Sequence, residues 1–163
     1  GGLSGGIAQA LGVAEFFADN DKIVVVLGDN IIEKNIKKQV EAFSKQEKGA
    51  KILLQKVKDP QRFGVPVFNG DKIIKIEEKP KEPKSDYAVT GIYMYDSRVF
   101  DIIKTLKPSN RGELEITDVN NDYIQKGEMT WDVLDGWWTD AGTFESLLSA
   151  SKMAAETGAN KTD

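Results

Sequence analysis

The sequence has 163 residues, 40% of them hydrophobic, which is enough to bury one substantial core and predicts a single domain, 1–163. Its 22 basic and 26 acidic residues give a formal net charge of -4, which argues against a nucleic-acid partner because such a partner requires a basic face. The chain contains no histidine and no cysteine, which excludes serine-histidine catalysis, imidazole or thiolate zinc sites and disulfides. Its chemistry must therefore rest on carboxylates, lysine, arginine and a hard metal.

Neither a signal-like N-terminus nor a run of about 18 apolar residues is present, so we expect no membrane partner and a cytoplasmic location.

The first half of the chain alternates helices and strands. Ser4 could cap a helix through Ile7, Leu11, Ala14 and Phe17, and the continuous apolar run Ile23 to Leu27 predicts a central parallel strand buried on both faces. A second helix is predicted around Ile36, Val40 and Phe43, followed by a strand over 51–57. This order is typical of an α/β domain.

The second half begins with a predicted hairpin, whose strands 64–68 and 72–76 are joined by Asn69-Gly70. We expect it to bring Glu78-Lys79-Pro80 close to Gly64. Further along, the sequence predicts a strand over 87–95, helices over 99–106 and 113–125, a strand over 129–134, and a last helix with Phe144, Leu147, Leu148 and Ser151 on one side. Beyond Gly158 the polar sequence predicts a frayed tail.

Asp29 and Asn30 follow the apolar run directly. In open α/β sheets ligands bind at the carboxyl ends of parallel strands, so Asp29 is a candidate magnesium ligand and Asn30 a candidate substrate ligand. The alternative is that Asp29 caps the next helix or shapes the turn. Position alone leaves both interpretations open.

Other charged positions are also candidates. Asp140, among small residues before the last helix, could hold a metal or cap that helix. Glu78 could accept sugar hydroxyls while Lys79 meets a phosphate, although strand ends often carry solvated charge. Arg111 could be a phosphate fork or an ordinary loop arginine.

Seven motifs, in this order and spacing, closely resemble the glucose-1-phosphate thymidylyltransferase family. They extend over nearly the whole chain: Gly6-Ile7-Ala8-Gln9-Ala10-Leu11, Gly28-Asp29-Asn30, Arg62-Phe63-Gly64-Val65, Glu78-Lys79-Pro80, Tyr87-Ala88-Val89-Thr90-Gly91-Ile92-Tyr93, Arg111-Gly112-Glu113-Leu114-Glu115-Ile116-Thr117-Asp118 and Asp140-Ala141-Gly142-Thr143.

The resemblance implies an α/β, three-layer, Rossmann-like nucleotide-diphospho-sugar transferase fold with a mixed, mostly parallel sheet, truncated at its N-terminus. It also implies a Mg2+-dependent reaction of dTTP with glucose 1-phosphate that gives dTDP-glucose and pyrophosphate for deoxysugar and surface polysaccharide synthesis, by an enzyme that commonly forms homo-oligomers. The implied site has Asp29 and Asp140 on magnesium, Gly6 against the base, and Lys79 and Arg111 on phosphate. The residues implied to line the glucose pocket are Gly64, Glu78, Val89 and Tyr93.

The family opens with a strand and a Gly-x-Gly-Thr-Arg loop followed by a lysine, and this sequence has neither. We therefore expect this chain alone to be weakly active or inactive. The alternatives are a non-catalytic sugar-phosphate-binding or assembly module, and a UTP-using relative. A glycosyltransferase of similar fold fits less well, because such enzymes usually carry Asp-x-Asp where this chain has Gly28-Asp29-Asn30.

Overall fold

A computed structural model of the chain describes residues 6–110 and 114–157. Its largest sheet has the strand order β1-β6-β3-β7, with β1 at Ile23–Val26, β6 at Tyr87–Tyr95, β3 at Ala50–Lys56 and β7 at Met129–Val133. β6 is antiparallel to both β1 and β3, whereas β3 and β7 are parallel. Three of these strands therefore run in one direction and β6 runs in the other, which confirms the predicted mixed sheet.

Side chains alternate across this sheet and build a core on each face. On one face Ile52 and Tyr95 pack with three helices, α1 (Ile7–Val13), α4 (Val99–Thr105) and α5 (Ile116–Gln125). On the other face Leu53 and Met94 pack with Phe43 of α3 (Lys37–Lys45). Successive residues of a strand point to opposite faces, so the short apolar strands supply both cores at once. The predicted three-layer α/β architecture is confirmed.

Two short antiparallel pairs lie outside the large sheet. β4 (Gly64–Asn69) and β5 (Lys72–Glu78) form the predicted hairpin, with Gly70 in the left-handed region at φ +60°. β2 (Asn30–Ile32) pairs with β8 (Trp138–Asp140), and α6 (Phe144–Thr157) follows.

The prediction for the first apolar strand is wrong in its position. Within the described chain β1 has only β6 as a neighbour, so it is an edge strand rather than a central one. Its burial alternates, and the side chains of Val24 and Val26 are 42% and 54% exposed. A continuous apolar run thus does not by itself establish burial on both faces.

The first helix also differs from its prediction. It breaks at Ala14 into α1 and the short α2 (Glu15–Ala18), and Phe17 is 84% exposed rather than packed with Leu11. Ser4, the predicted start of the α5 helix at residue 113, and the tail beyond Gly158 lie outside the described residues. In α6 Leu147 and Leu148 are about half exposed, and Ala150 is buried. None of the described helices is long and apolar enough to cross a membrane.

Candidate active site

A cavity of about 340 Å³ lies between β6, α5 and the two short strand pairs. It collects the predicted site residues from six separate parts of the chain. Those that line it are Gly6, Asp29, Asn30, Gly64, Glu78, Lys79, Val89, Tyr93 and Asp140. Arg111, the remaining candidate, lies outside the described residues.

The two candidate metal ligands are brought together by the pairing of β2 with β8. This pairing sets Asn30 opposite Asp140, and the Ala141 N–H donates to the Asp29 carbonyl oxygen. The Oδ2 atoms of Asp29 and Asp140 lie 3.5 and 3.6 Å from the position that a Cβ would occupy on Gly142. Both carboxylates therefore border one space, which stays open because residue 142 has no side chain.

Two carboxylates suit magnesium better than they suit a metal ion whose ligands all come from protein side chains. No cluster of three or more acidic side chains that could hold a metal occurs in residues 6–110 and 114–157. Mg2+ commonly takes one or two carboxylates and fills its other positions with water and substrate phosphates. The space beside Gly142 is thus suited to a hard cation that arrives with a phosphorylated ligand.

Asn30 holds the carboxylate of Asp29 in place. Its side-chain oxygen accepts hydrogen bonds from the Gly91 N–H at 2.8 Å and from Trp138 Nε1 at 2.7 Å, and its Nδ2 donates to Asp29 Oδ1 at 2.9 Å. The amide therefore connects β2, β6 and β8 at the cavity wall. With both ends engaged in the protein, the side chain orients Asp29.

A bulge in β6 makes this connection possible. The register with β3 moves from Ile52 opposite Tyr93 to Leu54 opposite Val89, which leaves two extra residues in β6. Gly91 lies in that bulge, and a Cβ there would be 2.2 Å from Asn30 Nδ2. Bulges often occur beside functional sites because they redirect backbone groups, and here the freed N–H of Gly91 meets Asn30.

The hairpin places the candidate sugar ligand. Gly64 pairs with Glu78, as predicted, and the ideal Cβ position at Gly64 is 3.5 Å from Glu78 Oε2. The same oxygen accepts a hydrogen bond from Thr117 Oγ1 at 2.7 Å. Glu78 is thus fixed from α5. No described residue donates a hydrogen bond to its other carboxylate oxygen, Oε1, which is the one left for a ligand hydroxyl.

Lys79 has a backbone conformation that is rare for its residue type. Its φ is +43°, in the left-handed region, and its N–H donates to the Phe63 carbonyl at 3.0 Å. A non-glycine residue in that region costs about 1 kcal/mol or more, and such residues cluster at functional sites.

Tyr93 is 5% exposed and lines the cavity floor. Burial, together with the nearby charges of Glu78 and Asp29, raises the pKa of its hydroxyl well above the ordinary value. The hydroxyl therefore stays protonated at neutral pH and can donate a hydrogen bond.

Several lining residues were not predicted as site residues. Thr117 and Gly91 belong to motifs that carried the resemblance, but only the fold shows that they position Glu78 and Asn30. Trp138 lies two residues before Asp140, so its place beside the site follows from β8. Arg62 lines the same cavity, and its Nη2 is 3.9 Å from Asp140 Oδ1.

Comparisons with known proteins show what the chain is similar to. The profile of the Nucleotidyl transferase family matches residues 2–157. A glucose-1-phosphate thymidylyltransferase of Neisseria meningitidis is 45% identical over 150 residues, which are 90% of this chain and 52% of that protein. The low-salt glycan biosynthesis nucleotidyltransferase Agl11 of Haloferax volcanii is 40% identical over 153 residues, covering 93% of this chain and 43% of that protein. The chain thus spans about half the length of these curated relatives.

Solved structures extend the comparison to the fold. A crystal structure from Bacillus anthracis, described as a glucose-1-phosphate thymidylyltransferase in complex with sucrose, superposes with a TM-score of 0.89 at 60% identity, over 94% of this chain and 63% of that one. A UDP-glucose pyrophosphorylase complexed with UDP-glucose has a TM-score of 0.83 at 21% identity, over 95% of this chain and 64% of that one. The second likeness concerns the fold alone.

Proposed function

Since the chain belongs to the nucleotidyl transferase family, we propose that its cavity serves a Mg2+-dependent reaction between dTTP and glucose 1-phosphate that yields dTDP-glucose and pyrophosphate. The observation that carries the proposal is the meeting of Asp29, Asp140, Glu78 and Lys79 around one cavity. Because this chain spans about half of the relatives' length, the complete reaction is proposed for a protein that includes it. The chain alone is expected to be weakly active or inactive.

The proposed step requires no general base. An anionic phosphate oxygen of glucose 1-phosphate attacks the α-phosphorus of dTTP, and a new P–O bond forms. The bond from that phosphorus to the oxygen bridging the β-phosphate breaks, and pyrophosphate leaves with the electron pair. Since the attacking oxygen already carries negative charge near neutral pH, the absence of histidine is no obstacle.

The residues of the cavity have distinct tasks in this scheme. Glu78, held by Thr117, accepts sugar hydroxyls, and Tyr93 donates from the cavity floor. The ammonium of Lys79 meets a phosphate as a point charge. Asp29 and Asp140 would hold Mg2+, which supplies neutralisation of the crowded phosphate oxygens.

Calorimetric titration with glucose 1-phosphate and with dTDP-glucose in the presence of Mg2+ tests the sugar site. Glu78→Gln is expected to weaken both ligands by about tenfold, because a charge-assisted hydrogen bond is lost. Glu77→Gln is the matched control, since Glu77 pairs with Lys75 on the same strand and does not line the cavity. Equal binding by both variants, or no binding by the unmodified chain, would count against the proposal.

A pyrophosphate-release assay with dTTP, UTP and glucose 1-phosphate, run on a longer protein that includes this chain, tests the reaction. Preference for UTP would establish the UTP-using alternative. Binding of the sugar nucleotide without release of pyrophosphate, in every combination of substrates, would favour the non-catalytic module. The edge strand β1 also suits such a module, because Val24 and Val26 are exposed and could contact a partner.

The location, biosynthetic role and oligomeric state of the protein are proposals as well. We propose a cytoplasmic location, where nucleoside triphosphates are available, and a place in deoxysugar and surface polysaccharide synthesis. Homo-oligomerisation is proposed as well, and sedimentation of the purified chain over a concentration range measures it.

A further inference from the structure

Arg62 lies on the boundary between the candidate active site and a neighbouring cavity of about 560 Å³. It ends the 3₁₀ turn Pro60–Arg62, and Phe63 alone separates it from the strand that begins at Gly64. Both cavities share the side chains of Arg62, Phe63, Trp138 and Asp140. The guanidinium is therefore next to a candidate metal ligand and open to a ligand from either side.

The two ends of this guanidinium are in different situations. Nη1 donates to Asp59 Oδ2 at 2.8 Å, and the group lies 5.3 Å from the centroid of the Phe63 ring. Nη2 is 3.9 Å from Asp140 Oδ1, which is too long for a hydrogen bond, and the side chain is 45% exposed. Asp59 and Phe63 thus anchor the side chain, while no residue of the described chain accepts a hydrogen bond from Nη2.

The charges around the cavity indicate which kind of ligand Nη2 of Arg62 would bind. Of the described residues that line the cavity, Arg62 and Lys79 are the cations, whereas Asp29, Glu78, Glu115 and Asp140 are acidic. Without a ligand, Arg62 is the nearest counter-ion of Asp140. When Asp140 binds a divalent cation, it no longer pairs with Arg62, and Nη2 then lies beside a phosphorylated ligand. Arginine is the side chain best suited to phosphate oxygens.

On the basis of the proposed function, we propose that Arg62 is a further catalytic residue whose Nη2 donates hydrogen bonds to a non-bridging phosphate oxygen of the nucleoside triphosphate. The residue transfers no proton. It stabilises negative charge on the phosphates while the sugar phosphate attacks and pyrophosphate leaves. In the free protein the same group neutralises Asp140, so it opposes binding of a metal ion alone.

The experiment compares two ligands by calorimetry, Mn2+ alone and dTTP in the presence of Mn2+. Arg62→Gln removes the charge, Arg62→Lys keeps the charge without the fork, and Lys58→Gln is the control because Lys58 is exposed nearby and lines neither cavity. For Arg62→Gln we expect Mn2+ alone to bind about fivefold more tightly, since a cation at 3.9 Å is removed. We expect dTTP to bind at least about tenfold more weakly. Lys58→Gln should match the unmodified chain for both ligands.

Opposite signs for the two ligands are the signature of the proposed role, because a merely structural arginine would not produce them. If Arg62→Gln binds dTTP as tightly as the unmodified chain, or weakens both ligands together, the inference is overturned. If the unmodified chain binds dTTP through Arg62 but a longer protein that includes this chain releases no pyrophosphate, the proposed reaction fails while the Arg62 contact stands. If the unmodified chain binds no dTTP, the Arg62 inference is overturned, whereas the proposed reaction is judged by pyrophosphate release from the longer protein.

Discussion

The carboxylates that lie beside the two ends of strand β6 differ in how many hydrogen-bond partners they have. Directly after β6, Asp96 accepts hydrogen bonds from the Gly49 N–H at 2.6 Å, from the Arg98 side chain at 2.6 and 2.9 Å, and from the Tyr123 hydroxyl at 2.8 Å. Beside the first half of β6, the Asp29 carboxylate has one such donor, Asn30, among the described residues, and Asp140 has only Arg62 at 3.9 Å.

The difference separates structural charges from candidate functional ones. Arg98, which pairs with Asp96, also forms an ion pair with Glu128 at 2.6 Å, and Glu128 forms another with Lys48 at 3.0 Å. Each of these four charges therefore has a partner of opposite sign. Although burial raises the pKa of the Asp96 carboxyl, hydrogen bonds from Arg98, Gly49 and Tyr123 outweigh it and lower this pKa below its ordinary value. The site carboxylates have fewer partners, as expected of groups that await a ligand.

Asp140→Asn tests the site end of β6 and has the largest expected effect. Mn2+ affinity measured by calorimetry should fall by more than about a hundredfold, because loss of a ligand exceeds the effect of losing a residue that only supports one. The free energy of unfolding should change by less than about 0.5 kcal/mol, since within the described chain the Asp140 carboxylate has only Arg62, at 3.9 Å, as a partner.

The control for this substitution is Asp135→Asn, at an exposed position in the turn before β8. It should leave both the metal affinity and the stability unchanged. A large loss of stability in Asp140→Asn would break the comparison, because the site carboxylate would then be structural.

Asp96→Asn should give the reverse result. The free energy of unfolding, from urea denaturation, is expected to fall by roughly 2–3 kcal/mol, since Arg98 and Tyr123 lose a charged acceptor in a buried setting. Mn2+ affinity should stay unchanged. Asp101→Asn, at a side chain that is 83% exposed, should affect neither quantity.

The pH dependence of stability sharpens the same contrast. Because the pKa of Asp96 in the folded protein is below that of the unfolded chain, near 3.8, its ionised network stabilises the fold above that pH. As the pH falls from about 4 through the folded pKa, the free energy of unfolding should decrease. Asp96→Asn should flatten this decrease, because it removes the titrating carboxyl.

Sequence reasoning found the members of the candidate site but not how they are held. The order of the motifs predicted Asp29, Glu78 and Asp140 as site residues, and all three line the cavity. Their positions alone had left a helix cap or a solvated charge as alternatives. The role of Asn30 depends on a bulge at Gly91 and on the indole of Trp138, which are 61 and 108 residues away in the chain. A pattern within one segment cannot reveal contacts of that range.

The fold prediction failed where burial depends on neighbours rather than on the segment itself. The run from Ile23 to Leu27 has the composition of a central strand, yet no described strand covers its outer edge. The hairpin was predicted well because Asn69-Gly70 specifies its turn locally. Tertiary surroundings decide the first case and local backbone preference decides the second.

Gly142→Ala sharpens the account of the space between the site carboxylates. The added Cβ would lie 3.5 and 3.6 Å from the two Oδ2 atoms, an ordinary contact distance, so the fold should tolerate it. It would occupy part of the space proposed for the metal, and Mn2+ should bind about tenfold more weakly. Gly28→Ala is the matched control because, apart from its chain neighbours, no described residue has an atom within 4 Å of its added Cβ. Equal affinities for the two variants would place the metal elsewhere.

Lys79→Gly is expected to have the smallest effect on stability, and its sign is informative. The left-handed φ of +43° costs a lysine about 1 kcal/mol, and glycine removes that cost while adding roughly 0.5 kcal/mol of unfolded-state entropy. A net gain of about 0.5 kcal/mol should appear in urea denaturation, together with weaker binding of glucose 1-phosphate.

Lys79→Met separates the two effects, since it loses the ammonium but keeps the strained backbone. It should therefore weaken binding as much as Lys79→Gly without any gain in stability. If Lys79→Met gained as much stability, the cost would lie in the lysine charge beside its neighbours rather than in the backbone, and the strain would not be linked to the site.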